Sequence, residues 1–105
     1  MIVRSWRARA SETNARSYIE HFQSNVLPDL RGIAGFRGAL LLREDREDAV
    51  EFLVLTKWDS IQAIRTFAGD DVTRAIVEPE AAAVLLSFDA TVQHFELVDE
   101  VAVSD

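Results

Sequence analysis

The order of apolar and polar residues along the chain predicts alternating strands and helices. Apolar residues recur at every second position over residues 2–9 and 90–98, which is typical of strands. Between residues 11 and 27 they recur three and four positions apart, which predicts a helix that Pro28 ends or kinks. Residues 36–58 predict a hairpin, because two apolar runs, 36–43 and 49–58, flank the charged loop 44–48.

Short helices are predicted after the hairpin. One begins beyond Asp59 and Ser60, either of which can cap it, and ends at Gly69. A second helix is expected over residues 72–76. Pro79 suits the first turn of a third helix, which we expect to reach residue 88.

The resulting order, β-α-β-β-α-β, predicts an α+β, ferredoxin-like fold with the antiparallel sheet order 4-1-3-2 and helices on one face. The third strand is apolar on both faces, since Leu53 and Leu55 alternate with Phe52 and Val54. A second sheet from an identical subunit is the simplest cover for the other face, so we expect a homodimer, a dimeric α/β barrel. Residues 1–98 form a single domain in this interpretation, and residues 99–105 an acidic, frayed tail.

Composition narrows the partners. The net charge is −7 and the sequence shows no basic stripe, so binding to nucleic acid is not expected. The same negative charge argues against binding to an anionic membrane surface. No apolar run approaches the roughly 18 residues of a membrane span, so we expect a cytoplasmic protein. The chain has no cysteine, and its two histidines are far apart in sequence, so we expect no metal and no other cofactor.

Residues that can carry chemistry fall on one predicted face. If all strands keep the parity of the hairpin, this face carries the polar or aromatic residues Arg4, Trp6, Thr56, Trp58 and His94 among apolar ones, namely Ile2, Phe36, Leu40, Phe52 and Val54. An apolar lining with a few convergent polar groups is typical of a small-molecule pocket. A pocket of about 300 Å³ or more beside Trp58 and His94 would indicate a ligand site, whereas a filled core would favour a structural role.

Each candidate residue has a functional and a structural interpretation. His94 can accept a proton from a substrate, because the pKa of imidazole lies near neutrality, or it can be satisfied by a backbone carbonyl. Trp58 and Trp6 can stack on a ring or anchor the core. Arg4 can bind an anionic or phenolate group, or pair with Glu96 or another acid. The other histidine, His21, lies off the apolar stripe of the first helix and is expected to face solvent.

Four segments resemble the antibiotic-biosynthesis-monooxygenase-like family of dimeric α/β-barrel proteins: MIVRSWRAR, VLPDLRGIAGFRGALLLR, FLVLTKWDSIQAIRTFAGDD and TVQHFELV. The resemblance implies an oxygenase that acts on phenolic or quinol compounds without metal or flavin, a haem-degrading enzyme, or an isomerase-like protein. Trp58 matches the tryptophan that the cofactor-free oxygenases place at the end of the third strand. Their asparagine four residues earlier is replaced here by Val54, and the helices after Trp58 lack the histidine of the haem-degrading members.

These observations favour a small-molecule-binding homodimer. As an enzyme it would be a cofactor-independent monooxygenase or isomerase acting on an aromatic or quinol-like compound, with His94 as proton acceptor and Trp58, Trp6, Arg4 and Thr56 binding the substrate. The alternative is a non-catalytic domain that binds a metabolite or a protein, and haem binding is a third interpretation.

Overall fold

The computed structural model describes residues 1–104, so the last residue of the predicted tail, Asp105, lies outside the described residues. The elements follow in chain order: β1 (Ile2–Ala10), α1 (Glu12–His21), a π-helical turn (Phe22–Val26), α2 (Leu27–Arg31), β2 (Phe36–Asp45), β3 (Val50–Trp58), α3 (Ile61–Ala68), α4 (Pro79–Val84), β4 (Ser87–Phe88) and β5 (Gln93–Glu96). None of the described helices combines the length and the apolar character that a membrane crossing requires.

The strands form one antiparallel sheet in the order β2-β3-β1-β4, and β5 also pairs with β1. This arrangement confirms the α+β fold and the predicted strand order. Of the predicted fourth strand, residues 90–98, only β5 forms; β4 lies before it, at the end of the predicted third helix, and both strands pair with β1. Within residues 1–104 the sheet is open and forms no closed barrel, so closure into a barrel requires a second sheet.

The register of β1 places the predicted site residues on the face that the helices cover. Arg4 lies opposite Thr56 on β3 and opposite His94 on β5, while Ile2 lies opposite Trp58. Directly opposed residues point to the same side of a sheet, so these side chains share one face, as the assumed parity predicts. We call it the covered face and the other the open face.

A bulge changes the parity of β2. Phe36 lies opposite Trp58, but the next paired residue is Gly38, opposite Lys57. Gly38 adopts φ +153°, which a residue without a side chain tolerates at a bulge. Beyond it the odd-numbered residues face the helices, and Leu40 and Leu42 lie on the open face. The prediction that Leu40 shares the face of Trp58 was therefore wrong.

The first helical segment is longer than predicted. Ser11 caps α1, as its Oγ accepts from the Asn14 N–H at 3.1 Å. The backbone then widens into the π-helical turn and stays helical through Pro28 to Arg31. Pro28 does not end the helix, because the π-helical turn directly before it already interrupts the regular i to i−4 bonding that a proline disrupts.

The helix predicted over residues 72–76 does not form. Its backbone groups bond outside the segment: the carbonyl oxygens of Val72 and Arg74 accept from the Arg4 side chain, and the Ala75 N–H donates to the Ala90 oxygen at 2.9 Å. These groups are the ones a helix would use, so the segment is irregular. Pro79 does begin a helix, but α4 ends at Val84 and the chain then enters β4.

Two apolar clusters fill the space between the sheet and the helices. One joins α1 and α4 to β1 and β3 and includes Tyr18, Phe52 and Ala81. The other contains Leu30, Trp58 and Ile64, with Phe36 and Phe67 packed against it. Members of both clusters line the cavity described next, so the cavity lies where they meet.

Candidate functional site

A cavity of about 110 Å³ lies between the covered face and the helices. Strands β1 and β3 supply Arg4, Trp6, Val54 and Thr56 to its lining, and the helical side supplies Tyr18, His21, Phe22 and Leu30. Its volume is below the roughly 300 Å³ expected for a pocket that holds a drug-sized ligand. Three of the five predicted site residues line it, Arg4, Trp6 and Thr56, whereas Trp58 and His94 do not. The expectation that Trp58 and His94 share a cavity is therefore not met at this cavity.

Arg4 brings a positive charge to the wall of the cavity. Its guanidinium is buried, donates to the carbonyl oxygens of Val72 and Arg74, and lies 3.0 Å from His94 Nε2. Among residues 1–104, no carboxylate oxygen lies within 4.0 Å of it, so the predicted pairing with Glu96 or another acid was wrong. Burial lowers the pKa of Arg4, but a guanidinium keeps its proton in proteins, so the charge persists without a counter-ion.

His94 supports Arg4 from outside the cavity. A guanidinium has no acceptor atom, so His94 Nε2 accepts from the Arg4 nitrogen and the ring proton resides on Nδ1. Burial, and then the nearby charge of Arg4, lower the pKa of His94, which keeps the ring neutral at neutral pH. The role of proton acceptor that the sequence assigned to His94 stays a prediction, and it would require Nε2 to release Arg4 first.

Trp58 supports Thr56 from outside the cavity, as His94 supports Arg4. It is fully buried, and its ring stacks on Phe67 at 5.7 Å between centroids and meets Phe36 edge-on at 5.3 Å. Its Nε1–H donates to Thr56 Oγ1 at 2.8 Å. Because that bond uses the hydroxyl oxygen as an acceptor, the Thr56 hydroxyl hydrogen is free to be donated elsewhere.

Aromatic rings form much of the remaining wall. Trp6 lies 6.4 Å from Tyr18 and 6.0 Å from Phe88 between centroids, and its Nε1–H donates to the Asp89 carbonyl at 2.7 Å. Phe67 also lines the cavity, with the Arg4 Cζ atom 5.7 Å from its centroid. Burial raises the pKa of Tyr18, so its hydroxyl stays protonated.

His21 is a cavity residue that the sequence interpretation missed. It was expected to face solvent, but it lines the cavity, and its Nε2 is buried without a hydrogen-bond partner among the described residues. Its position three residues after Tyr18 and next to Phe22 was a usable signal, because i and i+3 positions lie on one side of a helix. The hydrophobic pattern excluded it only because histidine was counted as polar.

The fold and this cavity define a ferredoxin-like α+β protein whose covered face holds a buried arginine beside aromatic rings. The chain belongs to the antibiotic biosynthesis monooxygenase family, whose sequence model matches residues 1–79, which confirms the resemblance. No curated protein matches the chain.

Solved structures of the same fold are distant in sequence. An antibiotic biosynthesis monooxygenase-like protein of Bacillus cereus is 14% identical, with a TM-score of 0.70 over 100% of this chain and 98% of its own. The heme-degrader MhuD of Mycobacterium tuberculosis, with two hemes in its active site, is 22% identical, with a TM-score of 0.62 over 97% and 100%. A Streptomyces coelicolor monooxygenase from the gene ActVA-Orf6, in complex with nanaomycin D, is 16% identical, with a TM-score of 0.56 over 99% and 91%. At these identities the likeness shows the fold alone.

Proposed function

We propose that this protein is a homodimer whose cavities each bind one monocyclic phenol or quinol, and that it oxidises or isomerises the bound ring without a cofactor. The observation that carries the proposal is Arg4, a buried cation on the wall of an aromatic cavity, which has no carboxylate partner among residues 1–104. The family membership and the monooxygenases of the same fold support the reaction class.

The charge of Arg4 favours the ionised form of a bound phenol. An oxyanion 4 Å from a cation is stabilised by about 4 kcal/mol at an effective dielectric constant of 20, the equivalent of roughly three pKa units. Thr56 can add a hydrogen bond through its free hydroxyl hydrogen. A phenolate is the more electron-rich and reactive form of the ring, so a site that ionises the substrate also activates it.

The dimensions of the cavity favour a single ring. Its 110 Å³ is somewhat smaller than an engineered apolar cavity of about 150 Å³ that binds benzene. A small adjustment of the walls therefore admits a monocyclic compound, whereas a polycyclic one requires a larger rearrangement. With dioxygen as the oxidant, a phenol can become a quinone: one oxygen atom takes the place of a ring hydrogen as C=O, and the second leaves as water with that hydrogen and the hydroxyl hydrogen. Isomerisation needs only proton transfer.

The apolar block on the open face supports the proposed homodimer. Leu53 and Leu55 on β3 lie opposite Leu42 and Leu40 on β2, so four leucines form one block that no helix of the described chain covers. Charged side chains stand at its edges, for example in the Arg7–Glu51 ion pair. An apolar centre with a polar rim is typical of an interface, and a two-fold copy offers the same block in return.

Binding of 4-nitrophenol tests the proposal, because its phenolate absorbs at longer wavelength than the neutral phenol. The wild-type protein should bind it and shift it to the phenolate form at a pH where the free compound is mostly neutral. Arg4→Met should abolish the shift, and Arg4→Lys should keep part of it. Arg16→Met, which removes an exposed arginine of α1, is the control and should behave as wild type. Equal affinity for 4-nitrophenol and nitrobenzene would contradict the role of Arg4.

Haem is the second candidate, because the MhuD structure holds two hemes and His21 offers a free imidazole nitrogen. The cavity does not fit it, since 110 Å³ is far below the roughly 300–1,000 Å³ of pockets for ligands even smaller than haem. Titration with haemin should therefore give no stoichiometric Soret shift. A saturable shift at one haem per chain that is lost in His21→Ala would support this candidate instead.

A further inference from the structure

We propose that His21 is the catalytic base of the cavity and takes the hydroxyl proton of the bound ring. This inference rests on the proposed function and deepens it, because it assigns the proton-transfer step to a residue that neither the family resemblance nor the hydrophobic pattern indicated. It begins from two observations: His21 lines the cavity, and its Nε2 is buried and has no hydrogen-bond partner among the described residues.

The environment of His21 Nε2 is unusual for a structural histidine. A buried polar atom without a partner is destabilising, and such atoms in native proteins call for an explanation in structure or function. His21 is the last residue of α1, immediately before the π-helical turn Phe22–Val26. Such turns occur often at functional sites. A substrate hydroxyl in the cavity would give Nε2 the partner that the protein itself does not supply.

The two histidines differ in whether their Nε2 is free to react. His94 Nε2 already accepts from Arg4, and protonating it would break that bond and place two positive charges together. His21 Nε2 has no hydrogen bond to any residue of the described chain. A base must reach the proton that it removes, and His21 lines the cavity whereas His94 lies behind Arg4. The geometry therefore assigns two roles: His94 positions the Arg4 guanidinium, and His21 accepts the proton of the substrate hydroxyl.

The proton transfer balances within the cavity. The O–H bond of the bound phenol breaks, its electron pair stays on oxygen, and the proton forms a bond to His21 Nε2. The products are a phenolate beside Arg4 and an imidazolium at His21. The other titratable groups of the lining are Tyr18, Asp29 and Glu78. Neither carboxyl group lies within 4.0 Å of a nitrogen of Arg4 or His21.

Nitrogen-15 NMR of histidine-labelled protein tests the assignment, because the chain has only two histidines. His94→Gln identifies both sets of signals. Addition of 4-nitrophenol to the wild type should convert the His21 ring to the imidazolium form and leave the His94 ring neutral. His21→Gln should still bind 4-nitrophenol, within about threefold of wild type. In any quinol oxidation or isomerisation that the wild type performs, it should lose roughly 10²–10⁴-fold in turnover, as for removal of a base. Addition of free imidazole should partly restore the turnover of His21→Ala.

The outcomes separate this inference from the proposed function. If the wild type does not bind 4-nitrophenol or does not ionise it, both fail. If it binds the phenolate while the His21 ring stays neutral, only the assignment of His21 is overturned. The same holds if the imidazolium signal appears at His94, or if His94→Gln loses the activity that His21→Gln keeps. Circular dichroism of each variant shows whether it is folded, and His21→Ala with imidazole serves if His21→Gln is not.

Discussion

Both faces of the sheet carry a group of large apolar side chains, yet the helices cover only one of the two faces. On the covered face Phe52 and Trp58 are 0% exposed, because the helices pack directly on them. On the open face Leu40 and Leu42 remain 45% and 44% exposed. The difference shows that an apolar strand pattern tells which residues need cover but not which molecule supplies it. In the function proposed above, the covered face forms one wall of the cavity and the open face forms the interface between two subunits.

A charge on the open face should give the largest effect. Wild-type protein should sediment at about twice the 11.8 kDa chain mass at micromolar concentration, the range expected for a stable interface. Leu53→Asp should produce monomer or unfolded chain, because it buries an unpaired carboxylate in the proposed interface. Ser17→Asp adds the same charge to an exposed position of α1 and should leave the dimer intact. A wild-type monomer would contradict the assignment of the open face.

Removing a buried ring from the covered face should have the second-largest effect. It should lower the stability of the fold and not the affinity of the dimer. Phe52→Ala removes a fully buried ring and should lower the free energy of unfolding by about 3–5 kcal/mol in urea titrations. It should leave the dimer dissociation constant unchanged. Leu42→Ala is the counterpart on the open face and should raise that constant instead. If both variants changed the same quantity, the two faces would not have separate roles.

Alanine substitutions at two glycines near the covered face, one tightly packed and one in open space, allow packing to be compared. Both Gly35 and Gly69 have positive φ, +92° and +85°, so alanine is strained at either position. A Cβ at Gly35 would also lie 2.6 Å from the Ala63 Cβ, whereas nothing lies within 4 Å at Gly69. Gly35→Ala should therefore cost about 1–3 kcal/mol more than Gly69→Ala in urea titrations, as for overpacked sites. Equal losses would show that β2 can move away from α3.

The smallest expected effect concerns pH. The pKa of His94 is lowered in the folded state, so below its unfolded value of about 6.5 the unfolded chain binds a proton that the folded chain resists. Stability from this source is present above that pH and is lost as the pH falls toward the folded pKa. Urea midpoints of wild type should drop on acidification below pH 6.5 more steeply than those of His94→Gln. Parallel curves would contradict the lowered pKa of His94, which comes first from burial and then from Arg4.

Much of the fold was readable from the sequence because it depends on local signals. Alternation located the strands, Ser11 and Pro79 located two helix starts, and the parity of β1 and β3 placed Arg4 beside Thr56. Residues 72–76 were mistaken for a helix, because their carbonyls bond to Arg4, which is some 70 residues away in the chain. Such a distant partner leaves no local pattern.

The candidate site was only half predictable for a related reason. Parity shows which side of the sheet a residue faces, but not whether it lines a cavity or packs beneath one. Trp58 and His94 face the predicted side, yet their hydrogen bonds to Thr56 and Arg4 place them behind those residues. His21 lies on a helix, where sheet parity gives no information. Its place at the cavity depends on how α1 packs on the sheet.

The bulge at Gly38 lets the length of β2 change by one residue without turning its side chains over. Arg37 is the extra residue, because Phe36 and Gly38 pair with two successive residues of β3. Deleting it would return β2 to a regular ladder in which Leu40 and Leu42 keep their partners and still lie on the open face. Among relatives of this protein, a one-residue length difference at this point would therefore leave the surface proposed for association unchanged.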